Sequence, residues 1–216
     1  MIEILFENSD IIAVNKPEGI ASNPGEGKKG LPFLVASTSR GKLYIVHRLD
    51  KEASGVILLA KNREAHRYLN DQFSQRTVQK TYLALTHGII EKSGGTIDKP
   101  IRQFGSGRMG IDTKKGKPSF TEFEVTERFK DFTLVKAHPV TGRRHQIRVH
   151  LHSIGHPLVG DLLYGDKAVQ RQFPRLMLHA QEISFHLRTG ENIKIRAAIP
   201  ESFQAVINRL RYLKKL

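Results

Sequence analysis

The chain contains no cysteine, which excludes a disulfide framework, a thiolate zinc site and a cysteine-held iron–sulfur cluster and suits a reducing cytoplasm. No run approaches the roughly 18 uninterrupted apolar residues that a membrane span requires. The opening MIEILFENSD lacks a basic stretch followed by an apolar run and a small-residue cleavage site, so no secretory leader is expected. Acids are scarce: 21 Asp and Glu stand against 35 Lys and Arg, a net charge of +14. That balance points to a polyanionic partner, nucleic acid first. A membrane-surface protein would carry a separate basic amphipathic helix; the C-terminal RLRYLKK reads instead as part of a closing helix. Gly-x-Ser-x-Gly and Gly-x-x-x-x-Gly-Lys-Ser/Thr are both missing, which removes the usual signatures of acyl-serine and P-loop chemistry. Ten histidines raise the question of a metal, and His150-Leu-His152 is the tempting pair. There is no His-Glu-x-x-His, and the nearest downstream acid, Asp161, follows a turn-like GHPLVGD. Neither a metal nor a cofactor is expected, and these histidines are read as phosphate contacts or core hydrogen bonders.

What is present is enough for one domain over 1–216, with 39% hydrophobic residues to fill a core. IEILFEN and IIAVNKP flank a Ser9-Asp10 turn and read as a hairpin. Residues 18–42 read as loop with a short helix over 31–39. GVILLAKN is a buried strand, REAHRYLNDQFSQR a helix with Ala65, Leu69 and Phe73 on one stripe, and QKTYLALTHG a strand. The segment 101–119, with four glycines and five bases, reads as an exposed loop or thin hairpin able to lie on a polyanion. A hairpin turning at 128–131 comes next. RRHQIRVHLHSIG then forms a helix with Ile147, Leu151 and Ile154 on its apolar stripe and His145, Arg148 and His152 beside them. Two strands, LMLHAQEISFHL and NIKIRAAIP, and a helix from Glu201 close the chain. The expected fold is α+β, a largely antiparallel mixed sheet flanked by helices and loops.

One short stretch carries unusual chemistry. HRLDKEASG, residues 47–55, sets Asp50 among Arg48, Lys51 and His47 at the edge of an apolar strand. A carboxylate there can cap a turn, bind a metal or react, and the stretch alone favours the cap. Tyr82 in KTY, taken alone, is an ordinary strand aromatic. A carboxylate beside an arginine stays ionised and fit to act as nucleophile or base; the candidate cations are Arg48 and Lys51 beside it and, through the fold, Arg148.

Taken together, NKPEGI, HRLDKEASGVILLAKN, KTYLAL, GKPSFTEF, VTGRRHQIRVHLHSIGHPLVGDLLYG and LMLHAQEISF resemble, in order and spacing, the RluA family of pseudouridine synthases. The resemblance covers about Ile11 to Pro200. It implies the pseudouridine synthase fold and the isomerisation of uridine in RNA to pseudouridine. Asp50 is then the catalytic residue, at ribose C1′ or C2′, with Arg148 its cationic partner and Tyr82 stacking on the uracil. The target base must be flipped out to reach them. Arg48 would fill the vacated space, Lys80 and His47 would support the substrate, and Ile147 and Leu178 would line the uracil pocket. Lys114, Lys115, Lys117, Arg143 and Arg144 would hold RNA through its phosphates.

Two departures are visible. Ala53 stands where the family usually has Thr, at an expected loss of one turn hydrogen bond, about 0.5–1.5 kcal/mol. The synthase segments begin almost at residue 1, so the short form without an S4 domain is expected, gripping RNA with its own basic surface. The implied partners are ribosomal or transfer RNA, with no membrane and no obligate protein partner, for a cytoplasmic monomer. The alternative is a non-catalytic RNA-binding or ribosome-assembly protein on the same fold; a histidine-based metal nuclease is a third reading.

Overall fold

The first two apolar runs pair as an antiparallel hairpin, β1 (Glu3–Glu7) and β2 (Ile11–Lys16). Its turn is fixed by the Asn8 side-chain oxygen, which accepts from the backbone N–H groups of Asp10 and Ile11, both at 2.9 Å, as turn-forming Asn residues do. The structure is a computed structural model and describes residues 2–23, 30–36 and 42–214. Helix α1 (Leu31–Ala36) lies within the helix expected over 31–39, whose last three residues fall outside the described ones. Strand β3 (Tyr44–Ile45) is short, and β4 (Ser54–Ala60) is buried at all seven positions. A strand apolar on both faces belongs inside a sheet, and β4 pairs with β2 and β3.

Helix α2 (Arg63–Gln75) starts where Asn62 caps it, its Oδ1 accepting from Ala65 N at 2.8 Å. It ends at Arg76, whose left-handed backbone (φ 61°) returns its N–H to the Gln72 and Phe73 carbonyls. Ala65, Leu69 and Phe73 face the core as their spacing predicts.

The chain then builds a second compact unit, from Thr81 to Leu178. Strand β5 (Gln79–His87) leads into it, followed by β6 (Gly94–Asp98) and a separate two-stranded hairpin of β7 (Ile101–Gln103) and β8 (Met109–Ile111). Strands β9 (Phe120–Arg128) and β10 (Phe132–Pro139) form the expected hairpin. The strand order in this unit is β5-β10-β9-β6, antiparallel throughout. Helix α3 (Gln146–Ser153) and a single turn, α4 (Lys167–Gln170), complete this stretch.

Strands β11 (Leu178–His186) and β12 (Asn192–Arg196) return to the first unit, which comprises Met1–Lys80 and His179–Ala198. There β11 runs parallel to β4 and antiparallel to β12. Gly55 is required at the β4–β11 crossing. Its φ is +116°, and a Cβ would sit 2.1 Å from the Ala180 carbonyl oxygen. Helix α5 (Glu201–Lys214) goes back to the second unit, where Phe203 and Ile207 enter a core with Leu83, Leu85, Phe129, Leu134 and Met177. The first unit's own core joins Ile11, Val56, Leu58, Leu69, Ile183 and Phe185. The fold is α+β and its strand pairings are mostly antiparallel, as expected.

Candidate active site

The loop carrying Asp50 is held from both sides. Ser22 Oγ donates to Leu49 O at 2.8 Å and accepts from Leu49 N at 3.0 Å, and both partners are buried. On the other side Lys51 O accepts from Gly19 N (2.8 Å) and from Lys16 Nζ (3.3 Å). Lys16 is fully buried and also donates to the carbonyls of Pro17 (2.8 Å) and Ile20 (2.9 Å), which helps make a buried ammonium tolerable. Ala53 N closes the turn onto Asp50 O at 3.1 Å. The Ala53 methyl is buried, and the turn that a threonine hydroxyl was expected to support carries this backbone bond. Asp50 itself is half-buried and Arg48 is exposed.

His47 is engaged inside its own unit. Its Nε2 accepts from Leu58 N at 2.9 Å, and its ring stacks on Phe73 with centroids 4.9 Å apart. Burial first, then the Lys80 charge, lowers its pKa to about 3, so the ring is neutral. Burial also brings Lys80 down to about 8. These contacts make His47 an anchor of the loop.

In the second unit Arg148 is the centre of a buried network. Its Nε and Nη2 each donate to Asp161, at 2.8 Å, in a two-pronged pair with side-chain exposures of 4% and 0%. Asp161 Oδ1 also accepts from the backbone N–H groups of Leu163 (3.0 Å) and Tyr164 (3.1 Å). The Arg148 guanidinium lies 5.1 Å from the Tyr164 ring centroid and that of Arg108 lies 5.0 Å from it. The Tyr164 hydroxyl accepts from Met109 N at 3.2 Å and hydrogen-bonds His145 Nδ1 at 2.8 Å. Ile147 and Leu178 are buried, whereas Tyr82 is half-buried on β5, opposite Ala137.

The basic residues expected to meet RNA lie on two segments, 114–117 and 143–144. Lys114, Lys115, Lys117 and Arg144 are exposed, and Arg143 Nε reaches Pro118 O at 3.4 Å. Several histidines are core hydrogen bonders. His150 bonds Thr121 and the Lys99 carbonyl, and His179 bonds Ser54. Among the described residues, no three His, Cys, Asp or Glu side chains group as metal ligands.

Over residues 10–153 the sequence matches the profile of the RNA pseudouridylate synthase family. The chain belongs to that family. It is similar to an RNA pseudouridine synthase of Bacillus subtilis, at 40% identity over 97% of this chain and 73% of the relative. It is likewise 41% identical to the ribosomal large subunit pseudouridine synthase C of Pasteurella multocida, over 98% of this chain and 69% of the relative. Human RNA pseudouridylate synthase domain containing 1 superposes with a TM-score of 0.81 at 30% identity, covering 98% of this chain and 95% of that one. The RluA-type resemblance of the motifs and the expected fold are thereby established, and the chain is a pseudouridine synthase, an isomerase.

Sequence reasoning about this synthase missed two kinds of residue. Asp161 was read only as an acid following a turn-like stretch and Tyr164 was not singled out, yet they hold Arg148 from 13 and 16 positions away. Lys16 and Ser22 fell in the NKPEGI strand end and the loop after it, with nothing local to show that they clamp Leu49 and Lys51. For Asp161 the usable signal was the lone acid close behind a histidine- and arginine-rich helix.

Proposed function

We propose that the chain isomerises uridines in structured RNA, large-subunit ribosomal RNA above all, with Asp50 as the catalytic carboxylate. The observation that carries this reading is the loop around Asp50, whose two flanking residues are clamped by Ser22, Gly19 and Lys16. A carboxylate held this way keeps its aim as a sugar approaches. The substrate class is supported by the relative named as acting on the ribosomal large subunit.

In the reaction the C1′–N1 bond breaks, the uracil turns, and C5 joins C1′. The C5 proton leaves and N1 ends protonated, so no atom is gained or lost and no electron is transferred. Asp50 acts at C1′ or on the C2′ proton, Tyr82 stacks on the uracil and assists loss of the C5 proton, and Arg148 supplies the positive charge. Arg48, exposed beside Asp50, takes the space of the flipped nucleotide. Ile147 and Leu178 provide apolar contacts to the base, Lys80 a polar one, and His47 holds the loop from behind. Lys114, Lys115, Lys117, Arg143 and Arg144 bind phosphates.

The test is nucleoside mass spectrometry of large-subunit ribosomal and transfer RNA transcripts after incubation with the wild type and Asp50→Ala. Pseudouridine should form only with the wild type. Equal yields, or binding without pseudouridine on either RNA, would overturn catalysis through Asp50 in favour of a binding protein on this fold.

A further inference from the structure

The β7–β8 hairpin faces two ways. In its register Ile101 lies opposite Ile111, Arg102 opposite Gly110, and Gln103 opposite Met109. Side chains alternate along a strand, so Ile101, Met109 and Ile111 share one face, where they pack with Val149 and Tyr164. Arg102 and Gly110 occupy the other. Phe104, two residues beyond Arg102, continues that outer face, and its N–H bonds the Arg108 carbonyl at 2.9 Å across the hairpin end.

The Phe104 ring is both exposed and fixed. It is 41% accessible. It lies so close over Gly110 that a Cβ there would stand 2.9 Å from its Cε2. The Arg102 guanidinium sits 5.5 Å from its centroid and is itself tied to Asp112 at 2.9 Å. The other Asp112 oxygen accepts from Lys114 N and Lys115 N, each at 2.9 Å, so one carboxylate organises both the ring's neighbour and the lysine turn. Exposed Arg108, Lys114, Lys115 and Lys117 belong to the same short segment. A single exposed apolar side chain is ordinary. A ring seated on a glycine and flanked by cations has the construction that nucleic-acid-binding proteins use to stack a base.

We propose that Phe104 is a stacking platform for one unpaired base of the RNA this synthase binds. The inference rests on the reading of RNA as substrate and names a contact outside the uracil-binding residues. Stacking accepts any base, because every base has a π-face, and unpaired loop bases are what proteins usually read in RNA. The platform therefore selects for an unstacked nucleotide near the target rather than for a sequence.

The experiment uses the full chain and a set of 20-nucleotide uridine-rich RNA strands carrying 2-aminopurine at successive positions, single-stranded or annealed to a complement. Wild type should quench the probe in the single strand. Phe104→Ala should abolish the quench and weaken single-strand binding about tenfold, a typical loss for one stacked base, with the salt dependence unchanged. Phe104→Tyr should restore both and Phe104→Leu neither. Equal binding by Phe104→Ala, full function of Phe104→Leu, or an altered salt slope would each overturn the platform. Melting curves confirm folding, which an exposed ring should leave intact. Because binding is read without turnover, a chain that binds RNA but forms no pseudouridine sinks only the catalytic reading, and an active Phe104→Ala enzyme with normal binding sinks only this one.

Discussion

Replacing Asp161 by asparagine preserves the size of the side chain and removes its charge, at a position where neither it nor Arg148 has water to fall back on. The wild-type pair makes two hydrogen bonds of 2.8 Å with side-chain exposures of 4% and 0%. In the variant one prong of the guanidinium faces an amide nitrogen, a donor against a donor, and the Coulomb attraction to Asp161 is gone. Breaking one side of a buried ion pair costs about 3–5 kcal/mol. For a chain of this size each kcal/mol is worth about 2–4 °C in melting temperature, so a fall of about 6–20 °C is expected by calorimetry or circular dichroism. A melting temperature within about 2 °C of wild type for Asp161→Asn would refute the reasoning.

Three further outcomes follow from the geometry. His47 has a folded-state pKa of about 3 against an ordinary 6.5, and Lys80 about 8 against 10.5, so the unfolded chain binds more protons from pH 3 to 6.5 and from pH 8 to 10.5. Stability should therefore rise with pH through both windows; a urea midpoint that stays flat or rises on acidification from pH 6.5 to 4 would contradict the His47 part. Ser22→Ala removes both bonds to Leu49 and should cost about 1–3 kcal/mol, with kcat falling more than KM changes; unaltered kcat in a folded variant would show that the clamp does not serve Asp50. Alanine at Lys114, Lys115 and Lys117 together should weaken RNA binding at low salt and reduce the slope of log affinity against log salt by about 2, near 0.7 for each single-strand phosphate contact; an unchanged slope would remove these lysines from the interface.

Periodicity revealed the elements whose faces differ in polarity. Helix α2 showed its stripe of Ala65, Leu69 and Phe73, and the β9–β10 hairpin its alternation. It missed β6, because GGTID has hardly any apolar side chain to alternate; that strand exists through its backbone pairing with β9. It also missed two-residue β3 and one-turn α4, which Asp166 caps. The reading of α3 was half right. Ile147 and Leu151 are buried as expected, but Gln146, Arg148 and His150 are buried with them, and Ile154 caps the helix rather than extending it. Each buried polar residue is satisfied by a remote partner: Phe120 and Thr121 for Gln146, Asp161 for Arg148, Lys99 and Thr121 for His150. No local pattern encodes such partners. The candidate site residues stand in motifs visible in the sequence, while what positions them does not, since a clamp such as Ser22 on Leu49 spans 27 positions.

The alternation of the chain between its two units has a consequence for its synthesis. The first unit receives β11 and β12 only after the whole of Thr81–Leu178 has been made, and the second receives Phe203 and Ile207 later still. Ser54 meets its parallel partner His179 across 125 positions. On a nascent chain the first unit cannot bury its full core until Ala197 has emerged from the ribosome tunnel, nor the second until Ile207 has. Contacts this distant in sequence make for slow folding, and until they close, buried β4 waits without β11. A stop codon near residue 178 would thus release two unfinished cores rather than one finished domain and a fragment.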